Sequence, residues 1–274
     1  MFRAALTSAL LIGLAACTSP ARDTVGERPG EPVRMGSAYP KALVTIPVDD
    51  PKTKAIAGAL FAPNGPGPFP AVIVLSGCAG VDADAGVVRR LNADYMSKGI
   101  VTLVIDSLTP RGLTEVCSST KLLTDSIAFR VRDAYAAVAW LAARPEIAPN
   151  RIFLQGYSHG AQTAIAAVDN QWPARNLNHI AGVIAYYPYC LPGSRISAPT
   201  IILIGEKDDW TPAQACSDIS DKTNVEVTVY PNAFHAFAAP GVDLVYLGHR
   251  LLWDPAATAD GQRRAMTLIQ SRGR

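Results

Sequence analysis

From residue 43 onward the chain alternates short apolar runs with stretches of helical period. Residues 43–48 and 55–61 are β-like runs parted by Asp49, Asp50 and Pro51, and they read as two strands able to pair antiparallel. The Gly/Pro-rich segment 64–70 reads as a loop. Residues 71–75 and 101–105 are nearly continuous apolar runs, as expected of strands buried on both faces. Between them, residues 85–98 have helical period and stop at Gly99. The strongest helical signal is 126–143, rich in Ala, with Ile127, Val131, Tyr135, Val138 and Leu141 near one face and Pro145 just beyond its end. A strand at 151–155, a helix at 161–168 and strands at 180–185, 200–204 and 225–230 follow. A helix at 212–220 separates the last two strands, and a final helix starts near residue 260.

Strands and helices in this order predict an α/β fold, a mostly parallel sheet with helices on both faces and right-handed crossovers. Ligands of such sheets bind beyond the carboxyl ends of the strands, so the turn after each strand is the place to look for chemistry.

The first forty residues break the pattern. Arg3 precedes an apolar, small-residue run at 4–16, interrupted by Thr7, Ser8 and Gly13. The run is shorter than the ~20 residues that span a bilayer and reads as a signal peptide over 1–16. Leu14-Ala15-Ala16-Cys17 resembles the lipobox of bacterial lipoproteins, which implies that Cys17 becomes the lipidated first residue of an exported protein. Ordinary cleavage at an A-x-A-like site would instead leave Cys17 a plain thiol. Residues 17–40 carry Arg, Glu, Pro and Gly but few large apolar groups, and read as a flexible tether. One α/β domain is therefore expected over 41–274, anchored by lipid to a bacterial membrane and facing the periplasm or the exterior.

Composition narrows the classes. Hydrophobic residues make up 49% of the chain and charged ones 18%, which supplies a large core and excludes general disorder. The formal net charge is +2, with no block of Lys or Arg, so there is no electrostatic footprint for nucleic acid.

The candidate chemistry sits in turns after strands. Gly156-Tyr157-Ser158-His159-Gly160 follows one predicted strand and opens a helix, the context in which G-x-S-x-G lifts a serine hydroxyl out of a sheet. Flanking glycines suit that turn because a Cβ at either site would crowd its neighbours. A serine hydroxyl is a weak nucleophile and needs a base, which in turn needs an orienting carboxylate. Of the four histidines, His159 adjoins Ser158 and is expected to point away from its hydroxyl. His179 precedes any later acid, and His249 lies past the loop after the last strand. His235 lies within that loop and is the candidate base. The acid should follow the strand at 200–204, where Asp208 and Asp209 compete. Asp208 is favoured by a resemblance: its spacing from Gly205 and Pro212 matches the G-x-x-D-x-x-x-P pattern of related hydrolases. For a tetrahedral oxyanion, the backbone N–H groups of His159 and of Cys78, in the turn 76–80, are the candidate donors.

Five blocks carry a family resemblance: LSGCAG (75–80), IDSLTPRG (105–112), GYSHGA (156–161), GEKDDWTPAQAC (205–216) and YPNAFHAF (230–237). In this order they resemble the dienelactone hydrolase family of the α/β-hydrolase fold. The resemblance implies hydrolysis of a carboxylic ester or lactone through an acyl-enzyme, with Ser158, Asp208 and His235 as catalytic residues and no metal or cofactor. Two departures bear on substrate. The elbow residue of dienelactone hydrolases proper is Cys and here is Ser158, and the usual His-Gly of the first block is Ser76-Gly77. Arg111 either binds a substrate carboxylate or braces its loop, and Tyr157, Tyr187 and Trp210 are candidate cleft residues. In that fold the strands before Cys78 and Cys117 are neighbours, as are those before Cys190 and Cys216, which implies disulfides Cys78–Cys117 and Cys190–Cys216 in an exported protein. The expected partner is a small ester-like molecule. A peptidase or acyltransferase on the same scaffold, or an inactive tethered binding protein, are the competing readings.

Overall fold

The computed structural model describes residues 41–171, 180–219 and 223–271. The expected signal peptide, Cys17, the tether and His179 lie outside the described residues, as does Ser220 at the end of the expected helix 212–220. The strands are β1 (Ala42–Pro47), β2 (Ala55–Phe61), β3 (Phe69–Leu75), β4 (Val101–Asp106), β5 (Ile147–Tyr157), β6 (Ile180–Tyr186), β7 (Thr200–Gly205), β8 (Val225–Tyr230), β9 (Asp243–Tyr246) and β10 (His249–Leu252). The helices are α1 (Ala85–Ser97), α2 (Thr120–Ala142), α3 (His159–Val168), α4 (Ala213–Ser217) and α5 (Pro255–Ser271).

Eight strands form one sheet in the order β1-β2-β4-β3-β5-β6-β7-β8. Only β2 runs against its neighbours; the pairs from β4 through β8 are parallel. This is the mostly parallel sheet of an α/β-hydrolase fold. Alternation along each strand divides the core into two layers. Ile73, Leu75, Leu103, Ile105 and Leu154 face the side covered by α2 and α3. Val72, Val74, Val104, Phe153 and Leu203 face the side covered by α1 and α5. The apolar stripe of α2 expected from the sequence, Ile127 to Leu141, lies in the first layer. Each such side chain contributes roughly 1.5–3 kcal/mol by leaving water.

Several elements differ from the expectation; β5 starts four residues early, at Ile147, and α4 is the short helix Ala213–Ser217. α2 starts at Thr120, six residues before the expected start at 126, because Ser119 Oγ caps it by accepting from Leu122 N–H at 3.3 Å. α5 starts at Pro255, and Asp254 Oδ1 accepts from the N–H groups of Ala256 and Ala257 at 2.9 and 3.0 Å. The β9–β10 hairpin was not expected. Its two-residue turn puts Leu247 at φ 49° and Gly248 at φ 89°, both left-handed as this turn type requires, although leucine rarely adopts such a φ.

A buried charge cluster ties the exits of β1 and β4 to α2. Arg111 donates from Nη1 to the Ser107 carbonyl at 2.7 Å and grips Asp133 with both guanidinium nitrogens at 2.8 and 2.9 Å. Asp50 lies 3.4 Å away and also accepts from Arg132 at 3.0 Å. Burial alone would raise the Asp50 carboxyl, but the Lys52 N–H, Arg132 and Arg111 outweigh it and bring it down to about 2. Burial raises Asp133, an effect that its bonds to Arg111 partly offset. The Arg111 and Asp133 side chains are wholly inaccessible to solvent. Arg111 is therefore a loop brace, and its assignment as a substrate-binding residue is corrected: both terminal nitrogens are engaged by Ser107 and Asp133, and the whole side chain is shielded from any ligand in the cleft.

Arg111→Ala leaves the buried Asp133 carboxylate without its ion-pair partner, takes one of several partners from Asp50, and is expected to lower unfolding stability by about 3–5 kcal/mol in urea titrations. A loss below about 1 kcal/mol would contradict the brace.

Candidate active site

The chain leaves β3 toward β4 on one side, then crosses over to β5 on the other side. The crevice between the ends of β3 and β5 is therefore the switch point of the sheet. The turns that end these two strands carry Ser76-Gly77-Cys78 and Ser158-His159.

Ser158 has φ 51° and ψ −119°, a conformation that side-chain-bearing residues seldom adopt and that marks a strained strand-to-helix elbow. The strain is enforced by contact. A methyl group on Gly156 would lie 2.2 Å from the Gly160 carbonyl oxygen, and one on Gly160 would lie 2.2 Å from the Leu75 carbonyl oxygen. Only glycine at both positions lets α3 start this close to β3.

The structure brings Ser158, His235 and Asp208 together. His235 Nε2 lies 3.0 Å from Ser158 Oγ, and His235 Nδ1 lies 2.8 Å from Asp208 Oδ2. The imidazole and the carboxylate are almost wholly buried. Asp208 is held by more than the histidine. Its Oδ1 accepts from the N–H groups of Trp210 and Thr211 at 3.0 and 2.8 Å, and its Oδ2 accepts from Thr211 Oγ1 at 2.8 Å. A carboxylate bonded in this way stays in place to orient the imidazole, whose other nitrogen can then take the Ser158 proton. Tyr187 and Trp210 flank the His235 ring, with ring centres 4.9 and 5.1 Å away.

Asp209 is exposed and turns instead to His249, whose Nδ1 lies 3.3 Å from its Oδ1 while its ring stacks on Trp210 at 4.8 Å. The structure thus separates the two candidate acids and the two later histidines. His159, next to Ser158, faces away from its hydroxyl. Its Nε2 lies 2.8 Å from the Leu123 carbonyl, to which it donates, and its Nδ1 lies 2.6 Å from Arg130 Nη1. Burial and the Arg130 charge push its pKa down to about 3, so the ring is neutral.

The Cys78 N–H has no acceptor among the described residues, and the His159 N–H opens α3, where helix geometry leaves amides unpaired. Both residues line the same cleft as Ser158. The disulfides Cys78–Cys117 and Cys190–Cys216 form as expected. The first fastens the β3 turn, together with a 2.8 Å hydrogen bond from Val116 N–H to the Cys78 carbonyl.

The cleft has a volume of about 820 Å³ and runs from Ser158 between α2, α3 and the segment 189–194. Leu123, Ile127, Ile165, Ala166, Leu191 and Pro192 supply much of its wall, and Trp210 also lines it. Tyr157 does not line it, which corrects its assignment as a substrate-binding residue. Strand alternation turns Tyr157 to the α1 side, where it stacks on Tyr186 at 5.1 Å and accepts from Gln155 Nε2 at 2.6 Å.

Sequence reasoning missed Thr211 and the β9–β10 hairpin. The hairpin supports His235: Leu252 N–H donates to the His235 carbonyl at 3.1 Å, and Leu251 bridges to His235. The helix-like T-P of Thr211-Pro212 gave no hint of the first; the Leu247-Gly248 turn was the one local signal for the second.

The model of the Dienelactone hydrolase family matches residues 56–272. No curated protein matches the chain. Among solved structures, a dienelactone hydrolase-like promiscuous phosphotriesterase from metagenomic libraries is 20% identical, covers 84% of this chain and 98% of its own, and has a TM-score of 0.63. An esterase of the planctomycete Thermogutta terrifontis, solved with propionate bound, is 16% identical over 88% of this chain and 96% of its own, with a TM-score of 0.61. The same esterase has also been solved phosphorylated by paraoxon, with 16% identity, a TM-score of 0.59 and coverage of 84% and 94%. At these identities the likeness is one of fold.

Proposed function

The chain belongs to the dienelactone hydrolase family, and from that premise we propose that it is a serine hydrolase that cleaves carboxylic esters or lactones through an acyl-enzyme on Ser158. The observation that carries this reading is the hydrogen-bonded series Ser158–His235–Asp208, with distances of 3.0 and 2.8 Å. In the first half-reaction His235 Nε2 takes the proton of Ser158 Oγ as the oxygen adds to the substrate carbonyl carbon. The carbonyl oxygen becomes an oxyanion, which the N–H groups of Cys78 and His159 receive. His235 then gives its proton to the departing alkoxide, the C–O bond breaks, and an ester on Ser158 remains. In the second half-reaction water adds to that ester, His235 taking its proton and returning it to Ser158 Oγ as the acid leaves. Asp208 keeps the imidazole in the tautomer that both steps need.

The walls of the cleft support an ester with one apolar limb. Leu123, Ile127, Ile165 and Ala166, from α2 and α3, line the cleft that also holds Ser158. Burial of each methylene there is worth roughly 0.8 kcal/mol, about fourfold in kcat/KM. We also propose export and lipid anchoring at Cys17, on the strength of Leu14-Ala15-Ala16-Cys17 and the apolar run before it. Acyl chains on that residue would hold the catalytic domain at a membrane surface.

The purified protein is expected to hydrolyse p-nitrophenyl esters, and Ser158→Ala to lower kcat by at least about ten-thousand-fold with fold intact; hydrolysis that survives the substitution would refute the nucleophile. In an ester series, kcat/KM is expected to rise from acetate to hexanoate. Ala166→Trp should flatten that rise while acetate cleavage persists, and a series that is flat in the wild type would remove the apolar limb. Expressed in bacteria with its full leader, the chain should incorporate labelled palmitate, and Cys17→Ser should abolish this; equal labelling of both would disprove the anchor.

A further inference from the structure

Arg130 is a cation on the core side of α2, only 1% exposed, and the reaction steps above leave it no part. Its Nη2 donates to the Ser76 carbonyl at 2.5 Å, and its Nη1 donates to His159 Nδ1 at 2.6 Å. One guanidinium therefore touches both segments that present an oxyanion donor. Asp84, the residue that precedes α1, meets the same segment from another direction: its Oδ2 accepts from Gly77 N–H at 2.6 Å. The Ser76 carbonyl and the Gly77 N–H belong to a single peptide unit. A positive group holds its oxygen and a negative group holds its hydrogen.

We propose that Arg130 and Asp84 are positioning residues that clamp the Ser76–Gly77 peptide from its two ends and thereby fix the neighbouring Cys78 N–H as an oxyanion donor. The proposal rests on the serine hydrolase reading and extends it to how the donor is held. Gly77 is the joint that needs such a clamp, because without a Cβ it offers least resistance to rotation of the peptides on either side. The next peptide is restrained as well. Its carbonyl, on Gly77, accepts from Gly80 N–H at 3.3 Å, so its own N–H, on Cys78, is turned the other way and left free. Across the crevice, Arg130 and the Leu123 carbonyl lock the His159 ring, which anchors the first turn of α3. The charges suit the task. Burial pulls the Arg130 pKa down to about 10 against the pull of the Asp84, Asp133 and Asp106 carboxylates, so it remains a cation at neutral pH. Burial raises Asp84 to about 6 against the Gly77 N–H, Arg130 and His235, so it is mostly ionised there.

A misaligned donor weakens the transition state and leaves the ground state alone, so it lowers kcat rather than raising KM. The test uses p-nitrophenyl butyrate and an alkyl trifluoromethyl ketone, which adds to the nucleophilic serine and carries an oxyanion. Arg130→Met and Asp84→Leu are expected to lower kcat about tenfold to a hundredfold with KM within about twofold. Inhibition by the ketone should weaken by a similar factor. Asp84→Asn keeps an oxygen that accepts from Gly77 N–H and should restore most of the rate. Should Arg130→Met fail to fold, Asp84→Leu decides, since it alters only the loop that leads into α1. Folded variants with unchanged kcat and ketone affinity would overturn the clamp, as would a rise in KM at constant kcat. A wild type that cleaves no ester would overturn the serine hydrolase reading, and the clamp with it.

Discussion

The close approach of the Ser158 elbow to the end of β3 is the constraint on which the site depends. The Gly160 position stands so near the Leu75 carbonyl that a methyl group there would overlap it at 2.2 Å. This contact sets the serine between two strand ends at the one place where the sheet reverses its order of growth. It also forces Ser158 into its strained backbone and leaves the first amides of α3 beside the free amide of Cys78. Larger residues at Gly156 or Gly160 would part α3 from the sheet and dissolve the arrangement.

Around that contact, the polar groups are fixed before any ligand arrives. Asp208 accepts from two backbone amides, one hydroxyl and the imidazole. The His235 loop is tied to the β9–β10 hairpin, and the β3 turn is fastened by a disulfide and a backbone hydrogen bond. In the proposed reaction, groups held in this way need no reorganisation as charge moves from serine to oxyanion, the condition under which fixed dipoles contribute most to rate. The Arg111–Asp133–Asp50 cluster serves the level below, joining β1, β4 and α2 so that the wall of the cleft and the end of the sheet keep their spacing.

Local signals made much of this legible in the sequence. Buried parallel strands announce themselves as apolar runs, and the glycines around Ser158 reflect a crowding that any such elbow must satisfy. Resemblance to the G-x-x-D-x-x-x-P pattern of related hydrolases, from Gly205 to Pro212, distinguished Asp208 from Asp209. What stayed hidden depends on partners remote in the chain. Arg130 reads as one more charge on a helix until Ser76 and His159 meet it. Thr211 matters through the carboxylate three residues away, and Arg111 through Asp133 on another element. Tyr157 was misplaced for a different reason: the period of two along β5 puts it with Phe153 and Gln155 on the α1 face, away from the cleft. The β9–β10 hairpin carried only half of the usual turn signal, Gly248, with Leu247 holding a position where Asn or Gly is common.

The central claim is that one hydroxyl, brought beside a buried imidazole, acts as nucleophile. Its most direct test is to react the protein with a fluorophosphonate or with paraoxon, digest it, and locate the adduct by peptide mass spectrometry. The account predicts one adduct per chain, on Ser158, formed far more slowly when His235 is replaced by Ala. An esterase-active protein that carries its adduct on another residue, or that labels at Ser158 as fast without His235 as with it, would contradict the account.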